Sequence, residues 1–180
     1  PEKHADTHDV GSGMRIPFRA VFDFGALNWL WLTFVIVTVD QWTKRLITNH
    51  LAEFEAIVLL PVLDLMRLHN TGAAFSFLSD ASGWQRWFFA SLAVVVSVGI
   101  LIWLWRLRVS GRNLLAAGLC LVLGGALGNV IDRVLLGHVV DFVRVHYGSW
   151  YFPAFNVADS SITIGVALLI LDTLLEPKNP

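Results

Sequence analysis

Few groups in this 180-residue chain can do acid–base chemistry, and four carboxylates stand out by their company: Asp40 in "VDQWTK", Asp132 in "GNVIDR", Asp141 in "HVVDFV" and Asp159 in "FNVADSS". Asp141 lies among Val139, Val140, Phe142 and Val143 with no base adjacent, so desolvation is expected to raise its pKa. Two carboxylates brought together in an apolar site share a proton, one titrating low and the other high. One can then deprotonate water while the other protonates a carbonyl oxygen, which is the chemistry of an aspartic protease. Such a pair needs no metal, cofactor or covalent nucleophile. The sequence offers little else: there is no H-E-x-x-H, no G-x-S-x-G, and the six histidines lack metal-like spacing. Cys120, the only cysteine, sits in "LLAAGLCLVLGG" and is read as packing.

These acids have to be positioned by a greasy chain. Hydrophobic residues make up 56% and charged residues 15%, which points to a membrane protein. A net charge of −1 excludes a broad basic surface for nucleic acid. Four segments, roughly 26–43, 84–105, 114–131 and 156–175, are long and apolar enough to be membrane helices. Trp29, Trp31, Trp42, Trp84, Trp87, Trp103, Trp105 and Trp150 fall near their ends as an interfacial belt. Ser82 with Gln85 fits a capping box, Asn113 can cap the third segment, and Gly124 and Gly128 read as a close-packing face. Arg106, Arg108 and Arg112 are dense in one loop, and Arg15 and Arg19 flank the first segment on the same side, which places both termini in the cytoplasm. Residues 1–24 are a polar tail with Met14 a candidate natural start, and 25–180 form one domain.

The two opposite loops, about 44–83 and 132–155, hold most of the unusual polar residues. Partial alternation in "VLDLMRLHN" and clear alternation in "DFVRVHY" predict short strands, so a small sheet is expected to roof the helices at the membrane surface. The four acids near that surface each have a plainer reading. Asp40 precedes Lys44 by one helical turn and suits a salt bridge; Asp132 beside Arg133 suits an ion pair tying a helix end to the loop. Asp159, in the first turn of the last helix, suits a cap, and Asp172 a solvated helix terminus. Spacing alone marks only Asp141 as odd. A proton relay is a rival class, but the inner halves of the helices have almost no ionisable groups; a non-enzymatic scaffold would not need isolated carboxylates.

Four stretches in order, "VDQWTK", "HNTGAAFSFL", "GGALGNVIDR" with "VVDF", and "FNVADSSIT", resemble the bacterial lipoprotein signal peptidases (type II signal peptidases) over residues 28–175. The resemblance implies a fold of four transmembrane helices with a small extracytoplasmic sheet and a covering loop or short helix, in the bacterial inner membrane among phospholipids. It implies an aspartyl endopeptidase that cuts prolipoproteins on the amino side of a diacylglyceryl-modified cysteine, near the outer face, without cofactor and with no need of an oligomer. On the matching positions, Asp141 and Asp159 become the catalytic pair. Asn70, Gly72, Asn129, Asp132, Arg133, Asn156, Asp40 and Lys44 become supporting residues.

Overall fold

The structure is a computed structural model, and it describes residues 25–72, 83–107 and 112–176. A 3-10 turn, Gly25–Trp29, leads into helix α1, Leu30–His50. Strands β1, Ala56–Leu60, and β2, Leu63–Asn70, follow as a hairpin. Helices α2, Trp84–Arg106, and α3, Asn113–Leu135, come next. Then come β3, Val139–Tyr147, β4, Trp150–Tyr151, and helix α4, Val157–Leu175. The four strands form one antiparallel sheet in the order β1-β2-β3-β4.

Two helices run past their expected ends. α1 continues to His50 rather than stopping near 43, because "TKRLITNH" contains no breaker and Thr43 and Thr48 bond back to carbonyls one turn earlier. α3 continues to Leu135; it ends where Gly137, at φ 89, adopts a left-handed conformation that a Cβ disfavours. Asn113 does not cap α3: it is the first helical residue, and Arg112 before it makes no side-chain cap bond. Arg112 turns instead to Asp172 (2.6 Å) and Glu176 (3.0 Å) at the far end of α4, so Asp172 is ion-paired rather than simply solvated. α2 starts at Trp84 after Gly83, and the expected Ser82 of its capping box lies outside the described residues.

α3 is the hub, packed against α1, α2 and α4. Its buried face, Leu115, Ala116, Leu119, Cys120 and Leu123, meets Ala26, Ile100 and Leu104 in the main apolar core, where Cys120 serves as packing. A smaller cluster of Ile47, Leu51 and Phe142 joins α1 to the sheet. Three described helices, α2, α3 and α4, are long and apolar enough to cross a membrane. α1 has the length but carries Asp40, Lys44 and Arg45. The sheet sits at the end of the bundle where α1 and α3 finish and α2 and α4 begin. Residues 73–82, part of the 44–83 loop, lie outside the described residues, so the expected covering loop or short helix is not described there.

Candidate active site

β3 leaves the end of α3 and pairs with β2 so that Leu68 faces Asp141, His69 faces Val140 and Asn70 faces Val139. This register brings Asn70 next to Asp141 although 71 residues separate them, and the Asn70 amide donates to Asp141 Oδ2 at 2.9 Å. The chain then crosses to α4 through Phe155, whose backbone bonds Val143 in both directions. Asn156 follows as the N-cap of α4: its Oδ1 accepts from the Asp159 N–H at 2.9 Å, and Asp159 Oδ2 accepts from the Asn156 N–H at 3.2 Å. The capping box seats Asp159 in the first turn, where the helix dipole favours a carboxylate.

Asn156 also links the two acids. Its side-chain amide donates to Asp141 Oδ1 at 2.7 Å while its backbone N–H holds Asp159. Asn129 of α3 donates to Asp159 Oδ1 at 2.9 Å and accepts from Lys44 Nζ at 3.0 Å. Behind it lies a buried charge cluster. Lys44 Nζ reaches Asp40 Oδ2 (2.8 Å) and Asp132 Oδ2 (2.9 Å), so the expected Asp40–Lys44 pair is present but shared. Asp40 Oδ1 accepts from Ala158 N–H at 2.9 Å and Asp132 Oδ2 from Val140 N–H at 3.1 Å. The cluster therefore pins the first turn of α4 and the start of β3, each one residue from a candidate catalytic acid.

Asp132 does tie a helix end to the loop, but not through Arg133. Neighbouring residues on a helix point in different directions, and Arg133 instead donates to the Gly72 carbonyl at 2.9 Å and lies over the Phe89 ring. Gly72 in turn gives its N–H to Asn70 Oδ1 at 3.0 Å, which fixes the amide that faces Asp141. Gln41 was not among the sequence candidates; its amide donates to Asp132 Oδ1 at 2.8 Å and to the Gly128 carbonyl at 3.2 Å. Its only signal in the sequence is its place beside Asp40 in "VDQWTK".

Asp141 and Asp159 line one cavity of about 550 Å³, together with Asn70, Asn129 and Arg133. Apolar walls from Val139, Phe155, Ile162 and Ile164 complete it. Burial raises the Asp141 pKa from 3.8 to about 7, the nearby Asp159 charge adds to the rise, and the bonds from Asn70 and Asn156 oppose it. A carboxyl that keeps its proton near neutral pH beside a second carboxylate is the arrangement that acid–base hydrolysis requires. Among the described residues no cluster of His, Cys, Asp and Glu has the makings of a metal site.

The family model described as signal peptidase (SPase) II matches residues 32–175. A lipoprotein signal peptidase of Pseudomonas aeruginosa is 52% identical over 158 residues, covering 87% of this chain and 93% of its own. One from Pseudomonas syringae pv. tomato is 55% identical, covering 86% of this chain and 90% of its own. Among solved structures, a bacterial membrane enzyme determined by the in meso method at 2.3 Å is similar with a TM-score of 0.72 and 30% identity. That likeness covers 85% of this chain and 93% of the enzyme's.

Proposed function

The chain belongs to the signal peptidase II family, and from that premise we propose that it is an aspartyl endopeptidase of the bacterial inner membrane that removes signal peptides from prolipoproteins, with Asp141 and Asp159 as its catalytic pair. The observation that carries this reading is the cavity that both acids line, with the buried Asn156 bonding both carboxyl groups at once.

The chemistry follows from the proton that Asp141 holds near neutral pH. Asp159 takes a proton from a water molecule as its oxygen bonds to the scissile carbonyl carbon, and Asp141 gives its proton to the carbonyl oxygen. Collapse of the tetrahedral intermediate breaks the C–N bond; the proton held by Asp159 goes to the leaving amine and the hydroxyl proton returns to Asp141. Asn70 and Asn129 are positioning residues that fix which carboxyl oxygens face the water, and Arg133 holds Gly72 and hence Asn70. Asp40, Lys44 and Asp132 hold the two backbone segments. No metal or cofactor takes part in these steps.

The substrate bond lies on the amino side of a diacylglyceryl-modified cysteine. The apolar walls of the cavity suit acyl chains and a signal helix, with Ile164 of α4 exposed for lipid. α1 makes a fourth crossing: Phe34, Val35, Val39, Trp42 and Leu46 are exposed for lipid, while Asp40 and Lys44 are paired inside. Both termini are then cytoplasmic, the site lies near the outer face, and one chain suffices.

Purified enzyme with Asp141→Asn or Asp159→Asn is expected to insert and purify normally, and to lose cleavage of a diacylglyceryl-modified prolipoprotein by about 10³-fold or more. Near wild-type turnover by either variant removes the dyad. Equal cleavage of the unmodified precursor removes the lipid requirement.

A further inference from the structure

Asn70, whose amide reaches Asp141, is the last residue of β2, and a strand end stays in place only if something ties it down. Successive residues of a strand face opposite sides of the sheet. Asn70 lies across from Val139 and His69 across from Val140, so the His69 ring is on the side of the sheet away from the Asn70 amide. There it stacks on His138, the residue before β3, with ring centres 3.8 Å apart and planes 29° from parallel. His69 Nδ1 also donates to Glu53 Oε1 at 2.9 Å. One ring thus joins the turn before β1, the end of β2 and the turn before β3. We propose that His69 and His138 are positioning residues, a clamp that fixes the end of β2 and so holds the Asn70 amide on Asp141. The proposal rests on the peptidase reading above and adds what keeps Asn70 in register with the acid.

The clamp responds to protons. Neutral aromatic rings stack favourably, whereas two imidazolium rings this close repel. The charged and titratable groups around His138 are His69 and Arg67 of β2, Glu53 before β1 and Asp132 of α3. Burial, and after it the His69 charge, hold the His138 pKa below its usual 6.5; Asp132 and Glu53 oppose this, and Arg67 adds to it. The opposing carboxylates are already engaged, Asp132 Oδ2 with Lys44 and the Val140 N–H, and Glu53 with His69. A proton arriving on His138 therefore adds a second positive ring to a stack whose counter-charge is in use, and the stack opens.

The sign follows from the lowered pKa. The unfolded chain binds this proton before the folded one does, so the stability that neutral His138 contributes is full above 6.5 and is lost as pH falls through the lowered value. Asp141 acts in the opposite sense over an overlapping range, so variants have to be compared with wild type at each pH.

The test uses purified enzyme in detergent and a diacylglyceryl-modified prolipoprotein, from about pH 5 to about pH 8. His138→Ala removes the ring, and should lower kcat at neutral pH by about tenfold with KM within about twofold of wild type. It should also move the alkaline limb of activity upward, as loss of the Asn70 amide would, because that bond favours the Asp141 carboxylate. His138→Phe keeps a ring that takes no proton. It should restore kcat and the alkaline limb to wild-type values, and below pH 6.5 it should exceed wild-type kcat by about threefold or more. Its Tm relative to wild type should rise over the same acid range, and His138→Tyr, also aromatic and neutral, should agree with it. A wild-type profile in His138→Ala overturns the clamp, as does failure of both aromatic variants to restore one. A ratio of aromatic variant to wild type that is constant with pH overturns the proton response. Asp141→Asn reports separately: activity surviving there sinks the dyad, and the Tm comparison at position 138 still tests the clamp.

Discussion

Asp141 shows how burial becomes a measurable pH dependence. Its pKa is about 7 in the folded chain against an ordinary 3.8. Between these values the folded state keeps a proton that the unfolded state has released, so the contribution to stability is full below 3.8 and is lost as pH rises to about 7. Melting in detergent should therefore show a Tm that declines across this window, with the decline reduced in Asp141→Asn; an unchanged slope contradicts the assignment. Activity should have an alkaline limb near 7, and Asn70→Ala should move it upward, since the Asn70 amide favours the ionised carboxylate. Lys44 makes a different demand. It is the cation between two buried carboxylates, and Lys44→Met should destabilise the fold by about 3–5 kcal/mol. Adding Asp132→Asn should restore part of that loss by removing one uncompensated charge, and a further drop would show that the cluster is not held by charge. The expected Asp40–Lys44 pair could be read from helical spacing alone. Its sharing with Asp132, 88 positions on from Lys44, could not.

At the level of elements, the contact between α3 and α4 helps to place Asp159, because Asn129 on one bonds Asp159 on the other. Glycines permit it. A Cβ at Gly125 would run into the Ala158 carbonyl, Ser161 Oγ and Ile162, and one at Gly128 into the Asp40 carboxylate. Gly125→Val should therefore lower both Tm and kcat, whereas Gly99→Ala on α2, where a Cβ meets open space, should leave activity intact and stabilise by roughly 0.5–1 kcal/mol. Equal effects at the two glycines would remove the argument. The sequence marked "GGALG" as a packing face, correctly, since small residues at helical spacing have few other uses in a membrane helix. That Gly128 backs onto an acid of the charge cluster depends on the rotation of α3 against α1, which no local pattern encodes. The strand β1 was missed for a related reason: "AIVLL" has no alternation, and all five of its residues are exposed.

For the whole molecule, the sheet and the Arg112–Asp172–Glu176 cluster mark opposite ends of the bundle. If α1 crosses as proposed, single cysteines at the exposed Asn28 and Glu55, which flank α1, in a Cys120→Ala background, should react with an impermeant maleimide from opposite faces of the membrane. Labelling of both from one face would refute a four-crossing topology. Cys120 itself is fully buried, so its removal is a packing change at the core rather than at the surface.

The sequence by itself determined the chemistry on offer and the elements that carry it. Apolar runs of membrane length, alternation in "DFVRVHY", and isolated carboxylates are local properties, and each survives in α2 to α4, in β3 and in the burial of Asp141. Only the tertiary structure decided what these residues do to one another. Asp159 reads as a capping residue because it is the third-position partner in the capping box that Asn156 opens; the same capping box turns Asn156 so that its amide reaches Asp141. Likewise Asp132 had to find Lys44 and Val140 instead of Arg133. A buried charge must take whichever partners the packed helices bring within about 3 Å, and those come from elements far apart in the chain.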